Sequence, residues 1–288
     1  MKILREFKDK VAVITGAASG IGFALAERCA KEGMKVVLAD IDEKSLRRAQ
    51  RKLNRSGATF ISLKTDVSKV SDIKTLAEKT IDTYGAVHLL VNNAGIGNTK
   101  YTWNYTLKDW EWQLGVCLWG VIHGVRIFTP IMLKQDIECH IVNVSSIEGL
   151  IFGSGPGGAI YGVSKHGIMS LSETLKRELE IKNAKLKVSV VCPGWVTTHI
   201  MFGDIHRPEK YQNAQIIEDT RNEDLFGNSD IDPEEALKMS PPISPEKAAD
   251  IIVQGIKNDT FYILTHKDEL LKGLVKERFD GILTAFDS

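Results

Sequence analysis

One stretch near the amino terminus restricts the possible folds more than any other part of the chain. The β-branched run Val11–Thr15 is followed at once by Gly16-Ala-Ala-Ser-Gly20-Ile-Gly22, and then by apolar residues at helical spacing as far as Gly33. A buried strand, a glycine-rich turn and a helix in this order are typical of the phosphate-binding start of a dinucleotide fold. The spacing is G-x-x-x-G-x-G rather than the common G-x-G-x-x-G fingerprint, and a simple tight turn is the alternative interpretation.

The same order of strand and helix repeats along the chain. Further short apolar strands are predicted at 35–40, 59–64, 87–91, 140–144, 186–191 and 261–265. This alternation predicts an α/β protein with a doubly wound parallel sheet of the Rossmann type, about seven strands wide, with helices on both faces. No linker is evident, so residues 1–288 are predicted to form one domain, with a weakly patterned insertion at about 195–243 and a C-terminal helix at about 267–284.

An acidic residue follows the second predicted strand. Asp40 lies about twenty residues after the glycines, where a carboxylate accepts hydrogen bonds from the adenosine ribose and repels a 2′-phosphate. This position favours NAD over NADP. The alternative is that Asp40 or Asp42 only caps the helix predicted to start near Glu43. Asp66 and Val67 follow the third strand, where a side chain can reach the adenine edge.

The segment Tyr161-Gly-Val-Ser-Lys165, with Ser146 upstream, points to acid–base chemistry. Tyr161 and Lys165 are four residues apart, so on a helix they share one face. An ammonium and a cationic ring close to a phenol favour the phenolate and bring its pKa toward neutral. Ser146, or Ser145 as the alternative, then holds the oxygen of a carbonyl or alcohol. Taken alone, such a Tyr–Lys pair is weak evidence, because a helical tyrosine is more often a packing residue than a catalytic one.

The composition argues against several classes of function. Lysine plus arginine equals aspartate plus glutamate at 37 each, so no net charge favours nucleic acid or a membrane surface as a partner. No apolar window approaches the length of a membrane span, and the start lacks a signal-peptide run, which predicts a cytoplasmic protein. The histidines are scattered and the four cysteines lack metal-ligand spacing. We therefore predict no metal site and buried free thiols.

Together these segments resemble the single-domain branch of the short-chain dehydrogenase/reductase (SDR) family over about residues 8–200. The motifs occur in that family's order: Thr15-Gly16-x-x-x-Gly20-x-Gly22, Asp66-Val67, Asn92-Asn93-Ala94-Gly95, Ser146, Tyr161-x-x-x-Lys165 and Pro193-Gly194-x-Val196-x-Thr198. The resemblance implies an NAD-dependent oxidoreductase that moves a hydride between the nicotinamide and a secondary alcohol or ketone. It also implies that the insertion covers a small-molecule substrate and that the chain forms a homo-oligomer, a dimer or a tetramer.

The resemblance also implies a role for each matching position. Tyr161 is the acid/base, Lys165 lowers its pKa and binds the nicotinamide ribose, and Ser146 orients the substrate oxygen. Asp40 holds the adenosine ribose, and Thr198 contacts the nicotinamide carboxamide. The other implied cofactor-binding residues are Gly16, Ser19, Gly20, Ile21, Gly22, Asp66, Val67, Asn93, Ala94, Gly95, Pro193, Gly194 and Val196.

One catalytic position departs from the family pattern. Where the family has an asparagine, in a stretch like Val-Asn-Leu-x-Gly, this chain has Val116-Cys117-Leu118-Trp119-Gly120. In the family, the backbone carbonyl of this fourth catalytic residue holds a water linked to the lysine, and Cys117 keeps its carbonyl. We therefore predict a slowed or retuned enzyme. The alternative, from a different class of function, is a non-catalytic NAD(H)-sensing or scaffold protein.

Aromatic residues are concentrated in one region. Four of the five tryptophans lie between Tyr101 and Trp119, and the fifth, Trp195, is beside the implied nicotinamide motif. They predict either the wall of an apolar substrate pocket or core and subunit contacts. The first interpretation favours a neutral, lipophilic, hydroxysteroid-like substrate, and a sugar or polyol dehydrogenase of the same family is the alternative. The helix predicted at about 107–133 is apolar nearly all round, so it must be covered on most sides.

Overall fold

Seven parallel strands form the centre of the computed structural model, which describes residues 4–151, 158–213 and 233–287. They lie in the order β3-β2-β1-β4-β5-β6-β7. The predicted doubly wound sheet is confirmed, and every strand end lies within two residues of its predicted position. The strands are β1 (Val11–Thr15), β2 (Lys35–Asp40), β3 (Phe60–Lys64), β4 (Leu89–Asn92), β5 (Cys139–Val144), β6 (Leu186–Cys192) and β7 (Tyr262–Leu264).

Helices cover both faces of the sheet. The helices are α1 (Gly20–Lys31), α2 (Glu43–Arg55), α3 (Val70–Tyr84), α4 (Leu107–Leu114), α5 (Gly120–Gln135), α6 (Ala159–Ile181), α7 (Pro233–Met239), α8 (Pro245–Lys257) and α9 (Glu269–Thr284). Ile14 of β1 faces a core shared with α1, α2 and α8, whereas Val13 faces one shared with α3, α5 and α6. Because both faces are covered, the strands are continuous apolar runs.

The helix predicted at about 107–133 contains a wider turn. α4 and α5 are joined by a π-helical turn, Gly115–Trp119. Within it, the buried Cys117 thiol donates a hydrogen bond to the Ile96 carbonyl at 3.2 Å and accepts one from the Ile96 N–H at 3.3 Å. A π turn inserts one extra residue, which changes the pairing of backbone carbonyls within the helix. The contact with Ile96 holds this turn against the loop that follows β4.

The composite helix Leu107–Gln135 is, among the described residues, the one helix long and apolar enough by length and composition to cross a bilayer. The expectation that no window approaches this length is therefore corrected. Val121, Phe128 and Met132 of this helix are buried in the core against the sheet. Core packing accounts for its apolar composition.

The strand order places a crevice at the carboxyl ends of the strands. The chain proceeds outward from β1 through β2 to β3 and then returns to β4 on the other side of β1. The loops after β1 and β4 therefore diverge, which is where ligands bind in open α/β sheets. Asn93, just after β4, ties the two sides together: its backbone N–H donates to Thr15 Oγ1 and its side-chain amide to the Thr15 carbonyl, both at 2.9 Å.

The insertion predicted at about 195–243 is described at 195–213 and 233–243, and its residues 214–232 lie outside the described residues. So do residues 152–157 of the glycine-rich loop before α6. Short 3₁₀ turns form at Ile200–His206 and Glu209–Tyr211. Val196 pairs with Ile243, which joins the two ends of the insertion. All four cysteines are buried and free, as predicted.

Candidate active site

A cleft of about 270 Å³ lies at the carboxyl ends of the strands, in the crevice between the loops after β1 and β4. It brings together nearly all the residues singled out from the sequence. These are Gly16, Ser19, Gly20, Ile21, Asp40, Asp66, Val67, Asn93, Ala94, Gly95, Ser146, Tyr161, Lys165, Pro193, Gly194, Val196 and Thr198. Gly22 and Cys117 do not line the cleft. Within the described ranges, no group of three His, Cys, Asp or Glu side chains is arranged to hold a metal ion.

The glycine-rich turn presents the start of α1 to the cleft. Gly16 adopts a φ of 63°, a conformation that L side chains rarely take. The N-cap residue of α1, Ser19, makes no side-chain cap hydrogen bond, and the first turn has no acidic residue, whereas α2, α4, α8 and α9 all have side-chain caps. The first N–H groups and the dipole of α1 therefore suit an anion such as a pyrophosphate.

Gly22 permits close packing and makes no direct contact with the cleft. A Cβ atom at this position would lie far inside van der Waals contact with the Gly16 carbonyl oxygen and the Asn93 side-chain amide. Only glycine therefore lets α1 approach the loops after β1 and β4 this closely. Gly22 would therefore affect a bound dinucleotide indirectly, by determining where the start of α1 lies.

Asp40 lies at the rim of the cleft, at the end of β2. Its carboxylate accepts hydrogen bonds from the N–H groups of Ala18 at 2.9 Å and Asp42 at 3.0 Å. Burial raises the pKa of Asp40, and these two backbone donors oppose the rise. The cap of α2 is Asp42, whose side chain accepts from the N–H groups of Lys44 and Ser45. Capping is therefore the role of Asp42, and the Asp40 carboxylate faces the cleft where an adenosine ribose is expected.

Tyr161 and Lys165 lie in the cleft on one face of α6, as their spacing predicted. The buried Lys165 Nζ lies 5.1 Å from the centroid of the Tyr161 ring and donates to the Val144 carbonyl at 3.0 Å. The Ser146 side chain also lines this cleft and lies close enough to the Tyr161 hydroxyl to lower its pKa. Ser146 is held in turn by the 3₁₀ turn that follows β5, because its Oγ accepts from the Glu148 N–H at 3.2 Å.

Burial dominates the electrostatics of these residues. It raises the pKa of Tyr161 above its ordinary value, although the nearby Ser146 side chain opposes the rise. Burial likewise lowers the pKa of Lys165. Desolvation therefore favours the neutral form of both groups, and the predicted phenolate depends on the combined positive charge of an ammonium and a cationic ring beside the phenol.

The structure favours Ser146 over Ser145 as the serine that meets a substrate. Ser145 is 2% exposed, and its Oγ donates to the Lys165 backbone carbonyl at 2.8 Å. That hydrogen bond attaches α6 to the end of β5. The Ser146 side chain instead lines the cleft, close to the Tyr161 hydroxyl.

A chain of buried polar side chains, not found from the sequence, positions α6. Asn92 of β4 donates to Asn143 Oδ1 of β5 at 2.9 Å, and Asn143 donates to Ser172 Oγ of α6 at 3.0 Å. The Ser172 hydroxyl donates to the Ile168 carbonyl one turn earlier at 2.7 Å. These hydrogen bonds tie α6 to β4 and β5, although the buried Asn92 Oδ1 accepts no hydrogen bond within the described residues. An asparagine within the β-branched run of β5 was the available signal for it.

Part of the cleft lining is apolar. Trp112 is buried and lines the cleft, whereas Trp103, Trp119 and Trp195 are exposed and do not. An aromatic wall therefore includes one of the five tryptophans. Other apolar residues that line the cleft are Ile96, Val116, Ile200 and Ile205. Of these, Val116 is four residues after Trp112, so helical spacing was a usable signal for this wall.

Comparisons with known proteins agree with this geometry. The family model for short chain dehydrogenase matches residues 10–207. CLA biosynthesis dehydrogenase/reductase from Lactiplantibacillus plantarum is 31% identical over 281 residues, which cover 98% of this chain and 96% of that protein. A 1-deoxy-11-beta-hydroxypentalenate dehydrogenase from Streptomyces avermitilis is 30% identical over 265 residues, covering 91% and 87%. The crystal structure of a short chain dehydrogenase/reductase from Burkholderia phymatum in complex with NAD has a TM-score of 0.89 and 38% identity, covering 97% of this chain and 96% of that one. The family prediction is confirmed, and this chain belongs to the short-chain dehydrogenase/reductase family of oxidoreductases.

Proposed function

We propose that this protein is an NAD-dependent oxidoreductase that transfers a hydride between the nicotinamide and a neutral, lipophilic secondary alcohol or its ketone. The observation that carries the proposal is that Ser146, Tyr161 and Lys165 line one cleft with the uncapped start of α1, with the buried Lys165 Nζ 5.1 Å from the centroid of the phenol ring. The NAD complex of the similar Burkholderia phymatum protein supports the choice of cofactor.

The residues along the cleft fit a dinucleotide. The open start of α1 suits the pyrophosphate, and Asp40 suits the adenosine ribose. Asp66 and Val67 line the adenine end, whereas Lys165 and Thr198 lie where the nicotinamide ribose and carboxamide are expected. When bound, NAD supplies the hydride acceptor or donor.

Tyr161 moves the proton of the substrate hydroxyl. In the oxidising direction the phenolate oxygen accepts this proton, and in the reducing direction the phenol donates it to the carbonyl oxygen. Ser146 donates a hydrogen bond to the same substrate oxygen and holds it within reach of Tyr161. Lys165 is the fixed cation that stabilises the phenolate. Because burial raises the pKa of Tyr161, the basic form depends on positive charge next to the phenol.

The apolar lining supports a lipophilic substrate. Ile96, Trp112 and Val116 form one wall, and Ile200 and Ile205 of the insertion lie on the same cleft. A polyol would leave its hydroxyl groups unpaired against such a surface, which opposes binding. The Streptomyces avermitilis relative is named as the dehydrogenase of a hydroxylated compound, which agrees with a CH–OH substrate.

The proposal is tested by following NADH formation with cyclohexanol, a hydroxysteroid and sorbitol. We expect kcat/KM for the lipophilic alcohols to exceed that for sorbitol by at least about tenfold, because sorbitol would have to bury unpaired hydroxyl groups. A preference for sorbitol would favour the polyol dehydrogenase. NADH binding without turnover on any substrate would favour the NAD(H)-sensing protein.

Cys117 does not line the cleft but lies next to Gly95, which does. A Cβ atom on Gly95 would lie 3.8 Å from Lys165 Nζ and 3.9 Å from Cys117 Sγ, so the thiol and the ammonium flank the same glycine. We expect Cys117→Asn to change kcat by less than about threefold, because the backbone carbonyl remains and an amide also pairs with both backbone groups of Ile96. Cys117→Ala loses both hydrogen bonds and is expected to lower kcat further.

Steady-state kinetics of both Cys117 variants check this expectation. Cys29→Ala is the matched control, because Cys29 is a buried thiol on α1 that does not line the cleft. A severalfold rise in kcat for Cys117→Asn would show instead that the thiol limits turnover.

We also propose that the chain forms a homo-oligomer through the surface shared by the π turn and α6. Trp119 and Val163 are 50% and 51% exposed on these two helical segments. Native mass spectrometry is expected to show a dimer or tetramer, and Val163→Glu to shift it toward monomer. Val70→Glu, at the start of α3, is the control. A wild-type monomer at micromolar concentration would contradict the proposal.

A further inference from the structure

A buried ion cluster centred on Asp109 lies beside the cleft. Asp109 is in the first turn of α4 and is 1% exposed. Its Oδ2 accepts hydrogen bonds from Lys100 Nζ at 2.9 Å and from the Thr106 N–H at 2.8 Å. Its Oδ1 lies 2.6 Å from Nη2 of Arg207 and accepts from Asn213 Nδ2 at 3.3 Å. One carboxylate thus connects α4 and the loop before it to the insertion.

The local structure of α4 does not require Arg207. Thr106 and Asp109 already form a reciprocal capping box, and Lys100 already supplies an opposite charge. Burial opposes ionisation of Asp109, yet hydrogen bonds from Lys100 and Thr106 and the ion pair with Arg207 hold the pKa of this carboxyl well below its usual range. Burying a second cation is costly unless its geometry is specific. The nearly buried side chain of Arg207 therefore indicates a role in docking the insertion.

Arg207 connects the cluster directly to the cleft. Its guanidinium carbon lies 4.9 Å from the centroid of the Trp112 ring. Trp112 follows Asp109 by three residues on α4 and lines the cleft. The residue before Arg207, His206, lines the cleft from the insertion, and its Nε2 lies 3.9 Å from Asp42 Oδ2, close to Asp40 at the end proposed for adenosine. The pair thus holds both a wall of the cleft and the segment that covers it.

Other contacts between the insertion and α4 lie around the same pair. Arg207 Nε donates to the Tyr211 carbonyl at 2.8 Å, which shapes the segment after it. Lys108 Nζ donates to the Gln212 carbonyl, and Thr106 Oγ1 donates to Asn213 Oδ1, both at 2.9 Å. These contacts are more exposed than the Asp109–Arg207 pair, so the buried pair is the centre of the docking surface.

We propose that Asp109 and Arg207 are positioning residues whose ion pair docks residues 200–213 on α4 and thereby sets the width of the adenosine end of the cleft. The inference rests on the proposed function. Loss of an ion pair that only stabilises the fold would lower the free energy of unfolding and leave cofactor recognition unchanged. Loss of a positioning pair changes the KM for NAD⁺ more than kcat or the KM for the alcohol.

Arg207→Lys tests the proposal, because it keeps the charge and loses the planar group that pairs with Asp109 and lies over Trp112. We expect the KM for NAD⁺ to rise about tenfold, with kcat and the KM for cyclohexanol changed less than about threefold. In hydrogen–deuterium exchange, the amides of 200–213 are expected to exchange about tenfold faster. Arg28→Lys is the matched control, because Arg28 pairs with Glu32 and Asp250 away from the cleft.

Asp109→Asn is the second variant, since it keeps the shape of the side chain and removes its charge. The same change in KM and in exchange is expected, and Arg207→Lys decides alone if Asp109→Asn does not fold. Wild-type KM values, or wild-type exchange in 200–213, in the folded variants would overturn the proposal. If the wild-type protein oxidises no alcohol, the proposed function fails separately, and exchange in Arg207→Lys against Arg28→Lys still decides whether the pair docks the insertion.

Discussion

Replacing Tyr161 by phenylalanine is expected to lower kcat for alcohol oxidation by about a thousandfold while NAD⁺ binding stays within about twofold of the wild type. The reason is local: Tyr161 carries its phenol in the same cleft as Ser146, with Lys165 Nζ 5.1 Å from the centroid of its ring. Phenylalanine keeps the ring over Lys165 and removes the atom that carries the proton. Steady-state kinetics and NADH fluorescence titration separate the two effects.

Tyr262→Phe is the matched control for this variant. The Tyr262 hydroxyl donates to Glu173 of α6 at 2.8 Å, so the control also removes a tyrosine hydroxyl that contacts α6 but lies outside the cleft lining. Its kcat is expected to stay within about twofold of the wild type. If Tyr161→Phe retained most of the turnover, another group would have to carry the proton and the assignment of Tyr161 would fail.

Replacing Asp40 by asparagine is expected to reduce the preference for NAD⁺ over NADP⁺, measured as the ratio of kcat/KM values, by about a hundredfold. Two effects contribute, each about tenfold or about 1.4 kcal/mol. The amide loses a charged acceptor for the ribose hydroxyls, and it no longer repels a 2′-phosphate. Because burial raises the pKa of Asp40, this carboxylate takes up a proton at higher pH than an exposed one. The wild-type preference should therefore weaken on acidification, and this loss should begin at a higher pH than the titration of an exposed aspartate.

Asp42→Asn separates a direct contact from a general charge effect. Asp42 carries the same formal charge two residues away and caps α2, a position where asparagine serves equally well. We expect its NAD⁺/NADP⁺ ratio to change less than about threefold. An unchanged ratio in Asp40→Asn, or an equal change in both variants, would remove Asp40 as the basis of cofactor choice.

The sheet and most of the cleft followed from local sequence patterns. Each strand was a short apolar run such as Val11–Thr15, and the helices followed from apolar spacing, because a strand and a helix bury residues with different periods. Parallel strands carry their ligands at one edge, so the segments after β1, β2 and β5 were expected to meet there. Asp40, Ser146 and Tyr161 do meet in one cleft.

The direction of the Tyr161 pKa shift could not be predicted from the sequence. The spacing of Tyr161 and Lys165 indicated an ammonium near a phenol, and that arrangement is present. The sequence carries no measure of how deeply both groups are buried. Desolvation grows with burial and opposes the charged form of each group, so the tertiary structure decided the sign.

The sequence by itself determined the order of strands and helices, the glycine-rich turn and the set of polar residues at the strand ends, because each depends on neighbours within a few positions. Only the tertiary structure decided that Trp112 alone of the five tryptophans lines the cleft. It also decided that the Cys117 thiol is hydrogen-bonded to Ile96 and that Asp109 forms an ion pair with Arg207. These are contacts between residues about twenty to a hundred positions apart. Such contacts depend on how whole elements pack, and the residue types at either end do not specify them.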